Sequence, residues 1–185
     1  KDAVLDAMRH PRAIDEALTL GRMENLLRQG GYCGYINLNT IVNESGIWPL
    51  EFTCRFGYPG FAILTPLQET AWGDLFAAMV SRSTGRFATR AGFSVGIVLT
   101  LPPFPYPRPQ VEEPVGLPVL FDGELTEADR TNLHYCELGL ENGELVTSGM
   151  YGWAMVVTGV GDSIASAQQR ANSLADRVLI PNVRY

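Results

Sequence analysis

Glu51, Thr53 and Arg55 stand at alternate positions in the stretch Leu50-Glu51-Phe52-Thr53-Cys54-Arg55-Phe56-Gly57-Tyr58-Pro59. Read as a strand entering a Gly/Pro turn, that spacing aims all three side chains at one face. Phe52, Cys54 and Phe56 then point the other way, into a core. A carboxylate beside a hydroxyl suits a hard cation such as Mg²⁺, and a guanidinium next to them suits phosphate. An ordinary amphipathic strand with a surface salt link has the same pattern, so spacing alone leaves both readings open.

The elements needed to position these groups are legible on either side. Residues 34–42, Gly34-Tyr35-Ile36-Asn37-Leu38-Asn39-Thr40-Ile41-Val42, alternate and are rich in β-branched and aromatic types, which predicts a strand. Asn43-Glu44-Ser45-Gly46 is a turn cluster, and Ile47-Trp48-Pro49-Leu50 opens the return strand. The expected hairpin carries Asn37 and Asn39 on one strand and Glu51 and Thr53 on its partner. In a suitable register, four oxygen-bearing side chains meet on one face.

The rest of the chain bounds the function. Its 185 residues are 46% hydrophobic, enough for a packed core in one full domain or two small ones. A net charge of −6 with no Lys/Arg cluster argues against nucleic acid as a partner. Cys33, Cys54 and Cys136 are odd in number and form no CxxC, which fits reduced cytoplasmic thiols, with Cys54 expected in the core. No apolar run is long enough for a membrane span, and no signal-peptide pattern opens the chain. Lys1 is the single lysine, so any lysine needed on nucleotide phosphates must come from outside this sequence.

Further elements follow from periodicity. Residues 1–10 read as the tail of an element begun earlier, and Pro11 fits the first turn of a helix to about Arg28, ended by Gly30-Gly31. A helix is expected near Gln68–Ser81, with Trp72, Leu75, Phe76 and Met79 as a core stripe. Arg86 and Arg90 fall on a predicted loop. Phe93–Leu101 reads as a strand in which Gly96 serves close packing. Seven of the twelve prolines lie between Pro102 and Pro118, marking an extended loop. Short strands are expected at 119–121, 132–138, 144–147 and 152–160, with Glu141-Asn142-Gly143 a turn. Asp162-Ser163 caps a helix to about Val178, with Ile164, Ala167, Ala171, Leu174 and Val178 inward, and Pro181 stops it.

Leu-Glu-Phe-x-x-Arg-Phe-Gly-x-Pro at the end of a hairpin resembles the metal-binding end of the ATP-grasp ligases, above all the phosphoribosylamine–glycine ligase family. Leu133-His134-Tyr135 is similar to that family's Phe-His-Ala-Gly-Thr segment, and Glu144–Gly149 to its Val-Thr-Ser/Asn-Gly-Gly strand and turn. Val157-Thr158-Gly159-Val160-Gly161-Asp162-Ser163, with Ala165, Ala167, Arg170 and Ala171, is similar to its final strand and helix. Departures are equally specific. Thr53 replaces the asparagine of the family's metal pair. Tyr58 and Gly60 replace the two acids of its Arg-Phe-Gly-Asp-Pro-Glu turn, and Pro103–Pro107 stands where it has Gly-Gly-Tyr-Pro.

The resemblance implies an α+β fold: residues 1–90 as the C-terminal part of an ATP-grasp subdomain, an antiparallel sheet with helices, and 91–185 as a small β-rich terminal domain. It implies ATP as co-substrate and Mg²⁺ (or Mn²⁺). Glu51 would be the principal ligand, Thr53 a hydroxyl ligand and Asn37 or Asn39 a further oxygen. Arg55 would act catalytically against phosphate, with Gly57 beside it at the nucleotide. The implied substrates are glycine and 5-phosphoribosylamine, joined through an acyl phosphate, and the remaining partner is a missing N-terminal part of the same protein. On that reading this chain alone is inactive. A ligase with another acceptor would fit the lost acids, and a non-catalytic relative would fit Thr53. His134 is expected as a structural histidine rather than an acid–base group.

Overall fold

Asn37–Asn43 (β1) and Gly46–Thr53 (β2) form an antiparallel hairpin in which Asn37 faces Thr53 and Asn39 faces Glu51. The register slips between Asn39 and Thr40: Thr40 faces Pro49, so Leu50 bulges out of the ladder. Pro49 has no amide hydrogen to give, which makes a break in the pairing cheap at this point. This computed structural model describes residues 20–83, 87–105 and 114–185. The predicted tail at 1–10, the start of the first helix, Arg86 and the middle of the proline-rich loop lie outside them.

The described residues divide into two compact units. The first runs through Gly57 and takes up the chain again from Trp72 to residue 83; the second holds Tyr58–Ala71 and everything described from Phe87 onward. Besides the hairpin, the first unit has helix α1 (Leu20–Gln29) and helix α3 (Trp72–Val80). α3 starts later than Gln68 because Gln68 is extended, its amide bonding back to Thr65 at the end of a 3₁₀ turn, Thr65–Leu67. Of the predicted α3 stripe, Leu75 is buried, whereas Phe76 is 41% exposed.

Aromatic contacts hold this unit together. Phe56 stacks on Tyr35 at a centroid distance of 4.5 Å and meets Trp72 edge-on at 5.3 Å, while Trp72 stacks on Phe76 at 5.8 Å. Phe56 therefore packs as expected. Phe52 and Cys54 do not: both are exposed, so they are not core residues. Strand alternation fixes which face a side chain takes, but not whether anything covers that face.

The second unit is built on β8 (Trp153–Gly161), which lies between β3 (Phe93–Thr100) and β5 (Leu133–Tyr135), antiparallel to both. Met155, Val156, Val157 and Thr158 are almost completely buried, as befits the central strand. Helix α5 (Ile164–Ala175) lies along β8 and β3 through Ala167 and Ala171, both fully buried. That close approach needs glycine on the strand. A Cβ on Gly159 would stand 2.3 Å from the Ala167 carbonyl oxygen and 2.4 Å from the Ala171 nitrogen. Gly96 is used similarly against Ile63 of the short helix α2 (Gly60–Leu64).

Ser163 caps α5 in a reciprocal capping box with Ser166. The helix stops at Ala175, so Val178 is buried in a short strand, β9 (Val178–Leu179), paired with β4 (Leu120–Phe121), and not on the helix. Ile164 is 40% exposed, contrary to its expected inward position. The single strand predicted at 132–138 is two: after β5 the chain turns into β6 (Leu138–Glu141), which forms a tight hairpin with β7 (Glu144–Thr147). Asn142 and Gly143, with φ of 52° and 85°, make that turn as their types require. Helix α4 (Glu127–Arg130), capped by Thr126, precedes β5.

Candidate functional site

The hairpin brings together four of the residues singled out by sequence. Cross-strand partners in an antiparallel pair share a face, so Asn37, Asn39, Glu51 and Thr53 form one polar row. Asn37 Nδ2 donates to Asn39 Oδ1 at 2.7 Å, and Asn39 Nδ2 donates to Glu51 Oε1 at 3.0 Å. Glu51 is exposed, while the two asparagines and Thr53 are half-buried. Glu51 Oε2 and Thr53 Oγ1 take no part in these two bonds. Among the described residues no group of three or more His, Cys, Asp or Glu side chains gathers anywhere. The row is thus a single-carboxylate, all-oxygen donor set, which fits Mg²⁺ or Mn²⁺ and does not fit a zinc-type centre.

Arg55 is not part of the row. β2 ends at Thr53, so the alternation that would align Arg55 with Glu51 and Thr53 stops one residue before it. Its guanidinium is exposed and makes one contact, Nη1 to the Phe56 carbonyl at 3.2 Å, leaving most of its donors open to a ligand. Gly57 has open space where a Cβ would be. Arg90, the describable member of the predicted arginine pair, is tied through Nη2 to the Pro66 carbonyl.

The second unit holds polar groups of another kind. Thr158, 1% exposed, donates to Asn132 Oδ1 at 2.9 Å and stands 3.1 Å from His134 Nε2. Its one proton is committed to Asn132, so the imidazole donates from Nε2. Burial holds the His134 pKa below its ordinary value. A neutral histidine anchored to a core threonine is the structural role expected of it. Tyr58 Oη and Cys136 Sγ lie 2.6 Å apart; burial first, then the neighbouring thiol, push the phenol up, and burial pushes the thiol up. A thiol held protonated is a poor nucleophile.

Sequence reasoning missed a cleft of about 640 Å³ lined by Asp129, Asn132, Thr158, Arg170, Ser173 and Arg177 among others. Its arginines are engaged. Arg177 donates to the carbonyls of Asp122 and Glu124 and pairs with Asp129 at 3.1 Å, and Arg170 Nη1 donates to the Val160 carbonyl at 2.7 Å. Thr158, a lone polar residue in a valine-rich run, was the available signal for it.

With a helix-backed antiparallel sheet in one unit and an antiparallel hairpin in the other, the chain is a mixed α+β protein. The known proteins it resembles are phosphoribosylamine–glycine ligases. The one from Pseudomonas aeruginosa is 26% identical over 95% of this chain and 40% of its own length. That of Vibrio parahaemolyticus is 24% identical over 91% of the chain and 38% of its own length, and that of Mycobacterium tuberculosis 28% over 86% and 36%. The crystal structure of the Thermotoga maritima enzyme of the same name shares the fold, with a TM-score of 0.63 at 20% identity, covering 81% of this chain and 35% of that one. No protein-family model matches the sequence. The chain spans about two fifths of the length of the curated relatives it matches, and its resemblance is to their C-terminal portion.

Proposed function

We propose that this chain works as the C-terminal portion of an ATP-dependent carboxylate–amine ligase, phosphoribosylamine–glycine ligase of purine biosynthesis. The observation that carries the reading is likeness to ligases of that name along 95% of the chain, together with a polar row led by Glu51 on its hairpin. Residues 1–90 then belong to the ATP-grasp subdomain and 91–185 to the small terminal domain, in a cytoplasmic enzyme.

In that reading Glu51 is the principal ligand for Mg²⁺ (or Mn²⁺), with the Thr53 hydroxyl beside it and the amides of Asn37 and Asn39 completing the row. Bound there, the metal would neutralise the phosphate of ATP during transfer to the glycine carboxylate. Arg55, with open donors next to the row, holds phosphate oxygens by charge and fork geometry. Gly57 lets the backbone of the turn come close to the nucleotide. The amine of 5-phosphoribosylamine would then attack the acyl carbon of the resulting acyl phosphate, forming the amide and releasing phosphate. Remaining contacts to ATP come from a preceding part of the enzyme, so the 185 residues alone neither turn over nor bind ATP tightly.

The test is ligation by the complete polypeptide. ATP- and Mg²⁺-dependent joining of glycine to 5-phosphoribosylamine is expected. Joining of a different amine would transfer the reading to a ligase of other specificity, and no ligation with any amine would sink it. Micromolar ATP binding by the 185-residue chain in calorimetry would show that the nucleotide site is complete within it.

A further inference from the structure

The row on the hairpin has a direction, and chemistry fixes it. A carboxylate only accepts, so the group that Asn39 turns toward Glu51 must be its NH₂. Its amide oxygen then faces Asn37, 2.7 Å away, and two amide oxygens at that distance would repel; Asn37 must therefore present its own NH₂. No other orientation of either amide satisfies both contacts. Asn39 is consequently committed at both ends, and Asn37 reaches Glu51 only through it. Glu51 is held by one oxygen, Oε1, so Oε2 is the carboxylate oxygen that Asn39 does not engage.

Resting on the metal reading above, we propose that Asn37 and Asn39 are positioning residues rather than ligands. They form a two-amide relay across the hairpin that holds the Glu51 carboxylate, so that the cation takes Glu51 Oε2 and Thr53 Oγ1. A cation on Asn39 Oδ1 would have to displace the Asn37 bond, and Asn39 would release Glu51 when it turned. Ligand-orienting hydrogen bonds of this sort are worth about 10- to 100-fold in metal affinity. The Thr53 hydroxyl is a weaker oxygen donor than a carboxylate, which gives orientation of the single carboxylate more weight.

Mn²⁺ binding to the 185-residue chain, read by electron paramagnetic resonance, separates relay from ligand set in a double-mutant cycle. Asn39→Leu and Asn37→Leu are each expected to weaken binding about tenfold. The double variant should be no weaker than Asn39→Leu alone, because Asn37 acts only through Asn39. The Asn39 side-chain amide resonances of the metal-free protein should also move in Asn37→Leu, and main-chain spectra should show an intact hairpin in every variant. Additive losses, near 100-fold in the double variant, would mean two independent ligands and overturn the relay. It is equally overturned if Glu51→Gln abolishes binding while both leucine variants bind normally. If the wild-type chain binds no Mn²⁺, or Glu51→Gln binds as well as wild type, the metal reading itself fails.

Discussion

His134 Nε2 lies 3.1 Å from the hydroxyl of Thr158, and that hydroxyl has already spent its proton on Asn132. Protonating the ring puts a charge in a half-buried place, which is why its pKa is lowered. A lowered folded-state value means that the unfolded chain binds more protons in this range. Stability is therefore full above the unfolded value of about 6.5 and is lost as the pH falls through the folded value. Thermal melts should be flat above neutrality and decline below it, and His134→Gln should flatten that limb. An unchanged acid limb in the variant would assign the pH dependence to other groups.

In the complete form of the proposed ligase, Glu51→Gln is expected to leave melting unchanged and lower ligation about 10²-fold, the scale of losing one electrostatic stabiliser in a closed site. Thr53→Asn, which supplies the asparagine that the ATP-grasp resemblance leads one to expect here, should keep or raise activity if position 53 ligates the metal. Normal turnover of Glu51→Gln at limiting Mg²⁺ would reduce the carboxylate to a surface charge.

Glu137 organises the strand entry of β8. Its Oε2 accepts from the amides of Gly152 at 2.8 Å and Trp153 at 3.0 Å. Glu137→Ala strands two partly buried donors and should cost about 1–3 kcal/mol in urea unfolding. Glu137→Gln, which keeps an oxygen acceptor, should lose less; equal losses would point to packing instead of hydrogen bonding.

Gly159→Ala drives a methyl group into the backbone of α5, so a loss of several kcal/mol is expected, at or above the ~1–3 kcal/mol of ordinary overpacking. Gly73→Ala in α3 is the contrasting variant. It meets nothing within 4 Å and should gain about 0.5–1 kcal/mol from helix propensity. Calorimetry that ranked the two alike would contradict the close strand–helix packing.

Local chemistry explains what was legible in advance. Asn142-Gly143 can hardly do other than turn, Ser163 is an N-cap by type, and a period of two put Asn37, Asn39, Glu51 and Thr53 on one face. What escaped was set by distant groups. The bulge at Leu50 is a property of the pair of strands. The predicted strand at 132–138 breaks where Glu137 turns to serve the amides of 152 and 153. Val178 leaves the helix where Arg177 is drawn to the carbonyls of Asp122 and Glu124, more than fifty residues away. Phe52 and Cys54 failed as core residues because burial depends on a neighbour that the strand itself does not specify.

Buried apolar side chains are divided very unequally. Among the described residues of the first unit Leu75 is the one example, while the rest, from Ala62 to Ile180, belong to the second. Opening free energies in a native protein follow such differences, so the two units should not exchange their amides at the same rate. The β1–β2 ladder is expected to exchange through cheap local opening, and β3, β5 and β8 only near the global limit. A protease would accordingly cut first around Asn43–Gly46. The part of the chain that carries the polar row would then set its working lifetime, however durable the second unit.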